Sequence, residues 1–218
     1  MMSTSSPLPI RRDARSHMAA KKAKGAADKI LDAALVLFVE RGYSSATMDM
    51  IAKKAGVAVQ TVYFTFQNKT NILKRLIDLT VAGDDEPVPT LERAWVREVI
   101  EEPDPVRHLE LQVKGTAKVY RRVASLLNVL SRASDTDPTV AELWSNNQEQ
   151  RRIVQRRFLL ALRKKHALPK GLTLQRAVDI SFTILGPEVF ELLVVDRGWS
   201  VPEWERWAVS TLRFHLLS

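Results

Sequence analysis

The sequence predicts an all-α protein in which a small N-terminal domain of three helices precedes a larger C-terminal helical domain. Apolar residues recur at intervals of three and four, and long alternating β-branched runs are missing. Only eight glycines occur in 218 residues, whereas 45% of the residues are apolar, enough for a sizeable core. Because the chain has no cysteine, disulfides and thiolate metal ligands are excluded.

The first three helices are predicted from short apolar repeats and the glycines between them. The first covers 26–41 and stops at Gly42, a residue suited to the end of a helix. The second and third cover 48–54 and 58–64, and Gly56 between them can adopt the positive φ of a tight turn. Two short helices joined in this way are typical of a helix-turn-helix, which binds double-stranded DNA.

Polar and flat side chains at the tip of this motif are the candidate DNA contacts. Gln60 could read adenine through its amide, and the hydroxyls of Thr61 and Tyr63 suit phosphates. The Lys69 ammonium, at the start of a fourth helix, could share a phosphate with that helix N-terminus. Thr47 is placed to cap the second helix. The predicted DNA-binding residues are Thr47, Val59, Gln60, Thr61, Tyr63, Thr65 and Lys69.

Charge and composition divide the chain into three parts. The net charge is +8, and residues 1–29 hold seven Lys or Arg against two Asp. We expect 1–25 to be a disordered basic arm, which suits a polyanionic partner. The proline-containing acidic segment 83–89, GDDEPVP, marks a boundary. The predicted domains are therefore a helix-turn-helix domain over 26–82 and a second domain over 90–218.

The second domain is predicted to be helical throughout, with a proline in each break between its helices. Its predicted helices are 90–101, 103–132 with a possible kink at Gly115, 138–166, 172–197 and 202–217. The segment 172–197 is apolar nearly all round and needs cover on several sides. We interpret the basic run Arg151, Arg152, Arg156, Arg157, Arg163, Lys164 and Lys165 as a solvated face.

The motif residues resemble those of the TetR family of transcriptional repressors over about residues 26–75. The matching positions are Thr47, Ile51, Ala52, Ala55, Gly56, Val57, Thr61, Tyr63, Phe66 and Lys69. Three positions depart from the family pattern, and one of them is Val62, which replaces the usual Leu. Ala58 stands where a Ser or Thr usually caps the reading helix, and Thr65 stands where His or Tyr is frequent.

The resemblance implies a dimeric repressor that a small-molecule effector releases from its operator DNA. Dimerisation would use helices 172–197 and 202–217, including a stripe on the last helix formed by Trp204, Trp207, Ala208, Thr211 and Leu212. An effector pocket would form between helices of the second domain. Its candidates combine flat apolar area with polar groups: Trp95, His108, Gln112, Tyr120, Trp144, Gln148 and Glu188.

Two other functions remain open from the sequence, an all-α enzyme and a DNA-binding protein without an effector. Four histidines are scattered without metal-ligand spacing, and common catalytic or phosphate-loop motifs are missing. We therefore expect no enzymatic activity, cofactor or metal. The most apolar segment is interrupted by charged residues and proline, which argues against a membrane span. The absence of cysteine fits a reducing cytoplasm, and we expect a cytoplasmic protein.

Overall fold

A computed structural model describes residues 25–83 and 89–218, which form ten α-helices and no β-strand. The helices are α1 Ala26–Arg41, α2 Met48–Ala55, α3 Val59–Phe66, α4 Lys69–Ala82, α5 Ala94–Glu101, α6 Pro105–Ser134, α7 Pro138–Lys165, α8 Leu174–Ile184, α9 Pro187–Phe190 and α10 Val201–Leu217. The all-α prediction is confirmed. The predicted basic arm, apart from Gly25, and residues 84–88 of the predicted boundary lie outside the described residues.

The first four helices share a core built by their apolar faces. Ile30 and Phe38 of α1, Ile51 of α2, Val62 of α3 and Leu73 of α4 are fully buried. These positions follow the helical period, so each helix turns one face inward. Helix α4 packs on both α1 and α6 and thereby joins the N-terminal helices to the rest of the fold.

The long helices α6 and α7 form the frame of the second part. They are joined by the short connection 135–137, and Asp104 and Asp137 cap their N-termini by accepting backbone N–H bonds. Helix α6 packs against α4, α5, α7, α9 and α10. Trp204 of α10 is fully buried in this core, beside the ring of Phe190.

The prediction of one continuous helix over 172–197 is wrong. Helix α8 ends at Ile184, and Gly186 is extended, with φ −74° and ψ 141°, before α9 starts at Pro187. Proline lacks the N–H that a continuing helix needs, and its ring disfavours the α conformation in the preceding residue. A π-helical turn over Glu191–Asp196 follows α9.

Helix α6 runs without a break through Gly115, from Pro105 to Ser134. The residues of the predicted stripe on the last helix are not all available to a partner subunit. Trp204, Ala208 and Leu212 are fully buried within the subunit, since α10 packs against α6 and α8. These three residues therefore cannot form a dimer surface. Within the described part of the chain, no helix is long and apolar enough to cross a membrane.

Candidate nucleic-acid interface and ligand cavity

Helices α2 and α3 are held at a tight turn by the contacts that the sequence predicts. Thr47 Oγ1 accepts a hydrogen bond from the Met50 backbone N–H at 3.2 Å and caps α2. Gly56 has φ 68° and ψ 36°, the left-handed conformation that favours glycine. The following Val57 N–H donates to the Ala52 carbonyl at 3.1 Å, which closes the end of α2.

Helix α3 places its predicted contact residues at different depths. Gln60, Tyr63 and Thr65 are exposed, whereas Val59 and Thr61 are half-buried. The Thr65 hydroxyl donates to the Thr61 carbonyl at 2.7 Å, so its proton is engaged within the helix. Gln60 and Tyr63, three residues apart, share the outward face and are the side chains best placed to meet a partner.

Phe64 belongs to this face but is missing from the sequence prediction. Its side chain is 91% exposed, an unusual position for a phenylalanine. It lies one helical turn after Gln60 and beside Tyr63. The spacing of four from Gln60 could have identified it, because residues four apart lie on one face of a helix.

The start of α3 lacks a side-chain cap, as the departure at Ala58 predicts. Ala58 takes the extended N-cap conformation, and no side-chain hydrogen bond is made there. Unsatisfied N–H groups at a helix N-terminus carry partial positive charge. The first turn of α3 can therefore donate to an oxygen of an anionic partner.

Lys69 is held inside the N-terminal domain rather than free in solvent. Its Nζ donates to the Tyr43 carbonyl oxygen at 2.7 Å and lies 4.1 Å from the centroid of the Tyr43 ring. Partial burial lowers the pKa of Lys69. The Tyr43 hydroxyl is paired with Thr70 Oγ1 at 2.8 Å, so two successive residues of α4 bind the same tyrosine.

A cavity of about 290 Å³ lies between α5, α6 and α7 and reaches the end of α4. Apolar walls come from Val81, Trp95 and Leu127, and the polar residues of the lining include Tyr120 and Arg151. The Tyr120 hydroxyl donates to the Leu185 carbonyl at 2.6 Å, just before the break that precedes α9. Burial raises the pKa of Tyr120, so this group is a neutral donor at ordinary pH.

The structure divides the predicted pocket residues among three places. Trp95 and Tyr120 line the cavity, and Gln112 supports it from behind by donating to the lining residue Gln155 at 2.8 Å. Trp144 and Glu188 line a separate cleft of about 240 Å³.

The two remaining candidates lie away from the cavity. Gln148 is half-buried on α7 and lines neither space. His108 is fully buried in another cluster, where Nδ1 accepts from Lys165 Nζ at 3.0 Å and the ring meets Phe158 edge-on.

The interpretation of the basic run as a solvated face is wrong for Lys165, whose ammonium donates to the buried His108, and for Arg151. Only 14% of the Arg151 side chain is exposed, because it turns inward beneath α8, with its guanidinium carbon 4.5 Å from the centroid of the Phe182 ring. Its neighbour Arg152 is 39% exposed and pairs with Asp179 at 3.0 Å. A single sequence does not reveal which of two adjacent arginines on a helix will face inward.

Gly115 shapes the cavity by admitting the indole of Trp95. A Cβ atom at position 115 would lie 2.3 Å from Trp95 Cε3, far inside van der Waals contact. The glycine thus lets the ring lie directly on the backbone of α6. The glycine that suggested a kink is a packing site for this ring.

The cavity and α4 are physically connected. Arg122 of α6 donates from Nε to the Thr80 carbonyl at 3.1 Å and from Nη2 to the Val81 carbonyl at 3.2 Å. These carbonyls belong to the last turn of α4, where an arginine also complements the helix dipole. Because Val81 lines the cavity as well, the last turn of α4 contacts both α6 and the cavity.

Together, the motif and the helical frame behind it define a helix-turn-helix protein with a larger C-terminal helical part. Residues 30–76 match the model of the bacterial regulatory proteins of the tetR family. Over this segment the chain is similar to the TetR family of transcriptional regulators, and the solved structures that share its fold include regulators of that name.

The relatives support this similarity at the level of sequence and fold. The chain is 37% identical over 84 residues to the regulator SrpR of Pseudomonas putida and, over the same length, to the uncharacterized regulator TtgW of the same species. Each match covers 37% of this chain, and it covers 39% of SrpR and 63% of TtgW. The chain thus spans less than two thirds of these relatives.

The fold is also that of a solved transcriptional regulator with a bound ligand. The regulator FadR from Bacillus subtilis, in complex with stearoyl-CoA, superimposes with a TM-score of 0.66. That match covers 85% of this chain and 96% of FadR at 21% identity.

Proposed function

We propose that this chain binds double-stranded operator DNA by placing α3 in the major groove. The observation that carries the proposal is the exposed face of Gln60, Tyr63 and Phe64 on a helix whose other side is anchored by the fully buried Val62. A rigid helix with polar and aromatic groups on its outer face suits base edges and thymine methyl groups. In this proposal, residues 26–82 form the reading domain.

The seven residues predicted to contact DNA keep distinct roles in the proposal. The Thr47 oxygen accepts the cap hydrogen bond, which leaves the hydroxyl proton free to donate to a phosphate. Val59, Thr61 and Thr65 supply apolar and hydroxyl contacts along the groove. Lys69 orients the start of α4 through Tyr43 and contributes positive charge near the backbone.

We propose a homodimer as the functional unit, because a two-fold dimer matches two half-sites in DNA. Apolar side chains remain exposed after the subunit core has formed: Leu192 and Val195 in the π-helical turn and Phe214 on α10 are 47%, 60% and 70% exposed. A surface of this kind is costly to leave in water. The proposed interface thus uses the π-helical turn after α9 and the outer face of α10.

We propose that an effector in the cavity changes the position of α4, and with it the spacing of the two reading helices. Support comes from Val81 in the cavity wall and from the hydrogen bonds of Arg122 to the last turn of α4. At the N-terminal end of the same helix, Lys69 binds the carbonyl oxygen of Tyr43, which lies in the loop between α1 and α2. FadR, of the same fold, is in complex with stearoyl-CoA. A ligand would shift the equilibrium only if it bound the two positions with different affinity.

The direct experiment measures binding of the purified protein to labelled duplexes taken from the DNA that flanks its own gene. We expect a salt-sensitive complex with one fragment, which an unlabelled copy competes away and a scrambled duplex does not. Tyr63→Ala should weaken this complex at least about tenfold. The control Thr139→Ala, an exposed position on α7, should bind as the wild type does. Equal binding to flanking and scrambled duplexes would reject the proposal.

A further inference from the structure

The cavity has an apolar body and one cation. Among the described residues that line it, Arg151 is the only one with a charged side chain at neutral pH, and no carboxylate faces it there. Trp95, Val119 and Val123 supply flat and branched apolar surface. A space of this composition suits a molecule with an apolar body and a single anionic group.

Arg151 is incompletely satisfied. Both of its Nη atoms are buried and lack a hydrogen-bond partner of good geometry within the described part of the chain, and the Tyr120 hydroxyl is the polar group that interacts with Arg151 from the same wall. Glu188 is the nearest acid, but its Oε1 is 3.8 Å from Arg151 Nη1, and the Glu188 side chain is 55% exposed. This distance is too long for a hydrogen bond, so Glu188 offsets the positive charge of Arg151 without accepting a hydrogen bond from it.

The energetics favour an anion at this place. A buried guanidinium that lacks acceptors loses its hydrogen bonds to water without replacing them. A carboxylate can accept two parallel N–H bonds from one guanidinium, and charge-assisted bonds of this kind are the stronger ones. Arg152 shows the contrast, because Asp179 already meets its guanidinium at 3.0 Å.

We propose that the cavity binds an apolar monocarboxylate, with the carboxylate on the guanidinium of Arg151 and the apolar body against the indole of Trp95. The volume of about 290 Å³ corresponds to roughly ten water molecules of bulk liquid and so to a ligand of about ten to fifteen non-hydrogen atoms. This inference rests on the proposed function only in treating the cavity as the effector site.

Calorimetric titration of the full chain at neutral pH tests the charge preference with ligands of matched shape. The probes are 4-butylbenzoate and decanoate, each compared with its own neutral amide, together with the cation 4-butylbenzylammonium. We expect at least one acid to bind about tenfold or more tightly than its amide, and the cation to bind most weakly. The absence of acid binding, or amides that bind as tightly as both acids, overturns the proposal.

Two neighbouring arginines provide matched variants. Arg151→Met should reduce the affinity for the preferred acid to about that of the amide and leave amide binding unchanged. Arg152→Met, one residue away and outside the cavity, should keep the wild-type preference. Equal loss in both variants contradicts the assignment to Arg151. If Arg151→Met does not fold, the comparison of acid and amide on the wild-type chain decides the question alone.

The titrations use no DNA, so their outcome is separate from that of the operator proposal. Operator binding without a preference for the acids overturns this inference and leaves the reading domain as proposed. A preference for the acids in a protein that recognises no DNA sequence supports the cavity assignment while rejecting the regulatory function.

Discussion

The Lys69 ammonium donates a hydrogen bond of 2.7 Å to the carbonyl oxygen of Tyr43. This contact joins the loop between α1 and α2 to the first residue of α4, across 26 residues of sequence. The reading helix α3 lies between these two points in the chain. The orientation of α3 therefore depends on a hydrogen bond between two residues that lie outside α3.

Removing the Lys69 ammonium should destabilise the N-terminal domain. Lys69→Met keeps the length of the side chain but leaves the Tyr43 carbonyl without its donor, so we expect the free energy of unfolding to fall by about 1–3 kcal/mol. Urea denaturation followed by circular dichroism measures the change. Lys54→Met, an exposed lysine of α2, is the control and should change stability by less than about 0.5 kcal/mol. Equal stabilities of the two variants would deny Lys69 this structural role.

Gly115→Ala should be destabilising, although alanine normally favours a helix by about 1 kcal/mol. The added Cβ would meet Trp95 Cε3 at 2.3 Å, so the indole must leave its place in the cavity wall. Tryptophan fluorescence and urea denaturation should report the displaced ring and the lost stability. In a Trp95→Ala background the same substitution should stabilise the protein, since the obstacle is gone. The same sign in both backgrounds would contradict this packing.

Stability should depend on pH through His108. Burial and the nearby Lys165 ammonium lower the pKa of His108 to about 4, whereas an unfolded histidine has a pKa of about 6.5. As the pH falls, His108 is protonated in the unfolded chain before it is protonated in the folded chain. The contribution of neutral His108 to the free energy of unfolding is therefore complete above about pH 6.5 and is lost as the pH falls toward 4.

Denaturation series at several pH values test this sign. His108→Gln should flatten the fall in the free energy of unfolding between about pH 6.5 and 4. His215→Gln, at an exposed histidine of α10, should retain the wild-type slope. A slope that the His108 variant leaves unchanged would mean that other groups carry the pH dependence.

Phe214→Glu should weaken the proposed dimer. Its side chain is 70% exposed on the subunit, and burying a carboxylate in an apolar interface without a partner is costly. Light scattering should give about twice the chain mass of 24.7 kDa for the wild type and a value near one chain for the variant. Ile153→Glu, a change at a 40% exposed apolar residue of α7, should leave the dimer intact. A wild-type mass of one chain would remove the dimer from the proposal.

The reading motif could be predicted from sequence because its determinants are local. The Thr47 cap and the left-handed Gly56 depend on residues within one or two turns, and both occur as expected. The cavity could not be assembled in the same way. Trp95 and Tyr120 meet there because of how α5 and α6 pack, and the Arg151 side chain is 14% exposed whereas that of Arg152 is 39% exposed. Such choices arise from tertiary packing, which helical periodicity does not contain.

The apolar composition of a segment does not by itself predict what covers that segment in the folded protein. Residues 172–197 are apolar nearly all round, yet Pro187 interrupts the helix and most of the apolar surface is covered within the subunit. The buried Trp204 shows the same effect on α10. The apolar side chains that stay exposed, chiefly Val195 and Phe214, form a smaller surface, which only the folded structure identifies.

Selection from a library of random DNA duplexes tests the central claim, that α3 reads a specific sequence, most directly. The account predicts enrichment of a two-fold symmetric site whose half-sites lie about 34–36 Å apart or at a multiple of this distance. Tyr63→Ala and Phe64→Ala should each lose most of this enrichment, whereas the exposed α7 variant Thr139→Ala should keep it. A pool that remains random after repeated rounds with the folded wild-type protein would contradict the claim.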